Sequence, residues 1–176
     1  MSLIEIVTDE DSRMQLSKVV DKQMVNGNEV IYIKEENLDN VKNIKLETSV
    51  INSKIDDKET LKRIIENSKN IIVNIDYNED IDKYIQGKNV ITFGYNLKSD
   101  ITVSSINEEK SFLALQKNVR SIFGKEIEMQ EIKADINYNI NVYNVMIIIA
   151  LTILYAKWKK IKKINFLCRQ IQKMVV

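Results

Sequence analysis

The sequence predicts an α/β domain: a mostly parallel sheet flanked by helices, with an antiparallel β extension. Three observations predict it. Short apolar runs alternate with helix-spaced segments up to Gly94. Alternating apolar residues separated by turn signals occupy residues 101–136. An apolar run that opens at Val142 then reads as a buried helix. Strands separated by helices imply parallel pairing through right-handed crossovers.

The elements follow in order. Leu3–Val7 is a buried strand, and Ser12–Asn26 is a helix with Leu16, Val19, Val20 and Met24 on one face, stopped at Asn26-Gly27. Glu29–Ile33 is a second strand and Ser49–Asn52 a third. Asp57–Asn67 is a helix that places Leu61, Ile64 and Ile65 on one face. Asn70–Ile75 is a strongly apolar strand, Glu79–Gln86 a short helix, and Asn89–Phe93 a strand closed by Gly94. Ile101–Ile106, Ser111–Lys117 and Glu126–Ile136 form the antiparallel set, with turns at Asn107–Glu109 and Phe123–Lys125. The apolar helix runs from Val142 to Trp158. Residues 1–156 form one domain, and 157–176 are a basic C-terminal helix or tail with Ile161, Ile164, Leu167 and Cys168 at helical spacing.

Composition narrows the chemistry. A length of 176 residues, 44% of them apolar, suffices for one packed core. The net charge of +1 gives no electrostatic case for nucleic acid. The chain has no histidine, which removes histidine bases, Ser-His-Asp and Cys-His nucleophiles, and histidine-held zinc. Its one cysteine, Cys168, cannot form an intramolecular disulfide and is compatible with a reducing cytoplasm. Met1–Glu5 lacks the apolar core of a secretory leader, so a cytoplasmic location is expected. The Val142–Trp158 run is shorter than the roughly 20 residues that span a bilayer. The lysines that follow it leave a membrane-surface role as an alternative.

The turn after the first strand is Thr8-Asp9-Glu10-Asp11-Ser12-Arg13-Met14-Gln15. Strand-to-helix turns cradle phosphates when glycines let backbone N–H groups converge and a lysine neutralises charge. This turn has three carboxylates and no glycine.

Three further stretches carry a resemblance. They are Ile71-Ile72-Val73-Asn74-Ile75-Asp76, then Asn89-Val90-Ile91-Thr92-Phe93-Gly94 continued by Ser99-Asp100-Ile101-Thr102-Val103, then Asn141-Val142-Tyr143-Asn144-Val145. In this order the chain, over roughly residues 3 to 156, resembles the central ATPase domain of the Mur ligases. Those enzymes are ATP-dependent amino-acid ligases of peptidoglycan synthesis. The resemblance implies a P-loop-type fold, with Thr8–Gln15 at the phosphate loop. It implies vestigial nucleotide-binding positions at Thr8, Ser12, Arg13, Asn74, Asp76, Asn141 and Asn144.

The departures are as informative. Arg13 stands for the family's lysine, Ser12 for a glycine, Met14 and Gln15 for its threonines, and Ile140 for a histidine. The family's metal segment has at best Asp56-Asp57 here, and its substrate domains have no room in this chain. The expectation is a non-catalytic binding or regulatory module, with no catalytic residue, no metal and no cofactor, and with an unknown protein or a second copy as partner. The alternative is a ligase component that works with partner subunits and would need ATP and magnesium. Local readings also exist for the same residues. Asn74 and Asp76 can cap a turn, Asn139 or Asn141 can cap the last helix, and Asp11 or Ser12 can cap the first.

Overall fold

The computed structural model describes residues 2–20, 24–106, 111–134 and 140–155. The expected turn at Asn107–Glu109, the residues beyond Tyr155, and the segment 157–176 lie outside the described residues.

The elements in chain order are β1 (Leu3–Val7), α1 (Glu10–Leu16), β2 (Glu29–Ile33), a 3-10 turn (Glu35–Asn40), β3 (Leu46–Ile51), α2 (Lys58–Asn67), β4 (Ser68–Asn74), a second 3-10 turn (Glu79–Lys83), and β5 (Asn89–Phe93). They continue with β6 (Ile101–Ile106), β7 (Ser111–Leu115), β8 (Val119–Arg120), β9 (Glu126–Ile127), β10 (Gln130–Ala134) and α3 (Val142–Leu154). Eight strands form one sheet in the order β10-β7-β6-β5-β4-β3-β1-β2, and β8 and β9 form a separate antiparallel pair. β2, β1, β3, β4 and β5 are mutually parallel. β6 joins β5 through the single pair Phe93 and Ile101, and the antiparallel β7 and β10 complete the sheet. The expected α/β class is therefore the observed one.

The parallel order 2-1-3-4-5 is doubly wound. The chain steps outward from β1 to β2, then reverses past β1 to β3. With right-handed crossovers, that reversal sends later connections to the opposite face. Leu16 of α1 packs in one core cluster, with Ile4, Ile6, Val50, Ile72 and α3. Leu61, Ile64 and Ile65 of α2 pack in the other, with Leu38 and Ile81 from the two 3-10 turns.

Several expectations are corrected. The first helix covers Glu10–Leu16 rather than 12–26. Val19 and Val20 are still buried, but in turns whose amides bond to the Leu16 carbonyl, so apolar spacing alone does not extend the helix. β3 covers Leu46–Ile51 rather than Ser49–Asn52, because Thr48 is a buried strand residue despite its polarity. The expected helix at 79–86 is a five-residue 3-10 turn. In place of one strand at 126–136, the described residues 126–134 hold two, β9 and β10, with β8 before them. The 3-10 turn at Glu35–Asn40 has no counterpart in the sequence expectation.

α3 is apolar on all sides because it is enclosed on all sides. Ten of its thirteen residues are buried. Its far end is fixed by the Tyr155 hydroxyl, 2.8 Å from the Thr48 hydroxyl. No helix among the described residues is long and apolar enough to cross a membrane.

One buried charge stands out. Glu5 alternates with Ile4 and Ile6, so it faces the α2 side, and it is fully buried. Ser49 Oγ donates to its Oε2 at 3.0 Å, while Oε1 has no partner among the described residues. Desolvation is the larger influence and the Ser49 bond opposes it, leaving the carboxyl pushed up to about 7. An acid raised in the folded state binds an extra proton there between its unfolded and folded values. Stability therefore falls as pH rises from the ordinary value of 4.5 through about 7. Urea denaturation should show the natural protein losing on the order of 2–3 kcal/mol over that window, with Glu5→Gln removing most of the slope. An unchanged slope in Glu5→Gln would contradict the assignment.

Candidate functional site

The carboxyl ends of β1, β3, β4 and β5 meet the amino end of α3. This edge of a doubly wound sheet is where ligands bind, next to the point where the strand order reverses. A buried polar ladder crosses it. Asn52 Nδ2 donates to Thr8 Oγ1 at 3.3 Å, and Asn74 Nδ2 donates to Asn52 Oδ1 at 3.1 Å. Asn74 Oδ1 accepts from the Asp76 amide at 3.0 Å, so Asn74 closes the turn after its strand. Thr8, Asn52 and Asn74 are all at most 4% exposed. Three strand ends are thus tied side chain to side chain.

Asp76 is the centre of a second knot. Its carboxylate accepts the Tyr95 amide at 2.6 Å, the Asn96 amide at 3.0 Å and the Tyr143 hydroxyl at 3.0 Å. Two of these donors come from the loop after β5 and one from α3. Gly94 is required for the approach. Its φ is +148°, and a Cβ there would lie 2.7–2.8 Å from the Asp76 carboxylate. Burial, and then donation to Asp76, hold the Tyr143 hydroxyl well above the usual tyrosine range. The ring of Tyr143 packs between Tyr77 and Tyr95, with centroids at 5.5 and 5.4 Å, and meets Phe93 edge-on.

The α1–α3 junction is the third part. Gln15 Oε1 accepts the Asn141 amide at 3.1 Å and Asn144 Nδ2 at 2.7 Å. Asn141 caps α3, its side chain accepting from the Tyr143 amide at 2.9 Å. Asn144 is fully buried, and its Oδ1 has no donor among the described residues.

The turn at Thr8–Gln15 is a plain capped helix start. Asp9 is the cap, rather than Asp11 or Ser12, and its Oδ1 accepts the Ser12 amide at 2.7 Å. The Ser12 hydroxyl also donates to Asp9 Oδ2, at 3.3 Å. Arg13 is exposed and forks onto Glu10 on its own helix. Hydrogen bonding from Arg13 holds the Glu10 carboxyl below its ordinary value.

Of the seven expected positions, Thr8 and Asn74 share the polar ladder, and Asp76 joins it through its amide. Asn141 and Asn144 meet at Gln15. Ser12 is absorbed in the α1 cap, and Arg13 faces away. The sequence reading missed Asn52, Gln15 and Tyr143 as partners. Asn52 had a usable signal, since like Asn74 it directly follows a run of apolar residues, Val50-Ile51 beside Ile71-Ile72-Val73. No group of His, Cys, Asp and Glu among the described residues could hold a metal ion. No family model matches the chain, and no curated protein matches it.

Gly94→Ala should destabilise the protein by about 1–3 kcal/mol, through strained backbone and displacement of Asp76. Tyr143→Phe should cost less, about 1.5 kcal/mol for one bond to a charged group. Chemical denaturation of the two variants checks the order; equal stability to the natural protein would contradict the knot at Asp76.

Proposed function

We propose that the chain is a non-catalytic relative of the Mur-ligase central domain, a cytoplasmic binding or regulatory module linked to cell-wall metabolism. The observation that carries the non-catalytic part is Asp9. Its carboxylate lies across the amino end of α1, where a phosphate loop would present backbone N–H groups to a nucleotide. A phosphate placed there would meet a fixed negative charge, and like charges at about 4 Å repel by about 1 kcal/mol even in water. Arg13 is committed to Glu10 and supplies no compensating cation. Asp56 is paired with Lys54, and Asp57 caps α2, so the nearest counterpart of the family's metal segment is already engaged. The residues present do not fit Mg-ATP.

The link to cell-wall metabolism rests on the resemblance alone. The binding role is supported by what the edge offers instead: a rigid, hydrogen-bonded rim from which Tyr77 and Tyr95 project, both more than 40% exposed. Exposed aromatic side chains held by a fixed scaffold are the usual anchors of protein recognition.

Isothermal titration of the full chain with Mg-ATP tests the reading. No binding heat is expected at millimolar nucleotide. Micromolar binding would overturn it in favour of a ligase component that works with partner subunits.

A further inference from the structure

Three tyrosines converge on Asp76. Tyr77 is its neighbour in the chain, Tyr95 gives it a backbone amide at 2.6 Å, and Tyr143 gives it a hydroxyl at 3.0 Å. Their rings lie in different planes. The ring of Tyr143 is tilted by 54° to that of Tyr77 and by 78° to that of Tyr95, with centroids 5.5 and 5.4 Å away. Tyr143 is half-buried, whereas Tyr77 and Tyr95 are 41% and 49% exposed. The two exposed rings keep surface for a ligand, and the central one joins them to the carboxylate.

Asp76 carries a charge that nothing among the described residues offsets. Its donors are two amides and a phenol, all neutral. The cations nearby in the fold are engaged elsewhere. Lys117, bonded into the same loop, pairs with Asp100 at 3.0 Å, and Arg13 and Lys34 both pair with Glu10. The influences on the Tyr143 hydroxyl are burial, Asp76, Tyr77 and Tyr95, with no lysine or arginine among them. Aromatic ring faces are the negative end of the ring quadrupole, so rings and carboxylate present one sign of charge.

That combination selects a cation, and the hydrogen bonds already made select its kind. Asp76 accepts three hydrogen bonds, and Tyr143 has given its one proton to Asp76. A primary ammonium is strongly hydrated and brings three donors, each needing an acceptor in exchange for water. A quaternary ammonium has no N–H to satisfy. It needs only apolar walls for its methyl groups, negative ring faces and a nearby anion, and these are what the site holds.

We propose that Tyr77, Tyr95 and Tyr143, together with the Asp76 carboxylate, bind a trimethylammonium group. The inference names the chemical group that the binding module takes and rests on that reading of the edge. The nucleotide titration reads phosphate binding at α1 and the experiment below reads cation binding at Asp76, so the two fail separately.

The test is a titration of the full chain with choline, followed by the amide resonances of Tyr95 and Asn96 at matched ionic strength. Saturable shifts of those two amides are expected in the millimolar range. The neutral carbon isostere of choline, which has the same shape without the charge, should bind about tenfold more weakly. Ethanolamine, a primary ammonium, should bind severalfold more weakly than choline. Tyr77→Leu and Tyr95→Leu, changes at exposed rings, should each weaken choline severalfold. A peptide carrying trimethylated lysine distinguishes the sources: tighter binding than choline places the group on a protein partner, and equal binding places it on a small molecule. The proposal is overturned if the neutral isostere or ethanolamine matches choline. It is also overturned if the shifts fail to saturate, or if they fall on amides away from Asp76.

Discussion

The structure depends on one topological constraint. Because the chain reverses direction between β2 and β3, the connections from β2 onward pack on a single face. On the other face, α1 covers the β1 side, while β4, β5 and β6 need another cover. α3 supplies it, returning from the antiparallel extension to bury Val145 through Leu154 except Thr152. This explains why the helix has no polar face, and why an apolar run too short for a bilayer is present. Ordinary amphipathic helices bury one stripe; α3 is buried between the sheet, α1 and the β8–β9 pair.

The same constraint builds the edge. A helix that runs antiparallel to the strands must begin at their carboxyl ends. The cap of α3, its Tyr143 and its Asn144 are thereby delivered beside Asp76, Tyr95 and Gln15. The edge is polar, buried in its floor and tightly bonded, but its bonds are satisfied mainly from within. Asn52, Asn74 and Asp76 bond to neighbouring strands and loops, and Asp9 to its own helix. An edge organised in this way is tied together from within, and its described residues offer no row of free backbone donors for phosphates.

How much of this was legible in the sequence depends on the range of each interaction. Ile71-Ile72-Val73 and the run from Val142 announce their elements because burial is written into consecutive residues. α2 is legible from Asp57 as its cap and from the spacing of Leu61, Ile64 and Ile65. The extent of α1 was not legible, because Val19 and Val20 are buried in a turn as well as they would be in a helix. Thr48 concealed the start of β3; it is paired with Tyr155, a contact that local pattern cannot show. Gln15 and Asn144 are 129 positions apart, and only the α1–α3 packing joins them. The Mur-ligase resemblance led to Asn74, Asp76, Asn141 and Asn144 on other grounds. The structure gathers these at one edge, each with a local bonding role.

Through Asp76, α3 and the loop after β5 are bonded into one unit. Native-state hydrogen exchange measures this residue by residue. The amides of Tyr95 and Asn96, although on a surface loop, should exchange with the same opening free energy as the central amides of α3. Exchange of those two amides near the unprotected rate, while α3 stays protected, would show a loose loop over an independent core and would contradict the account.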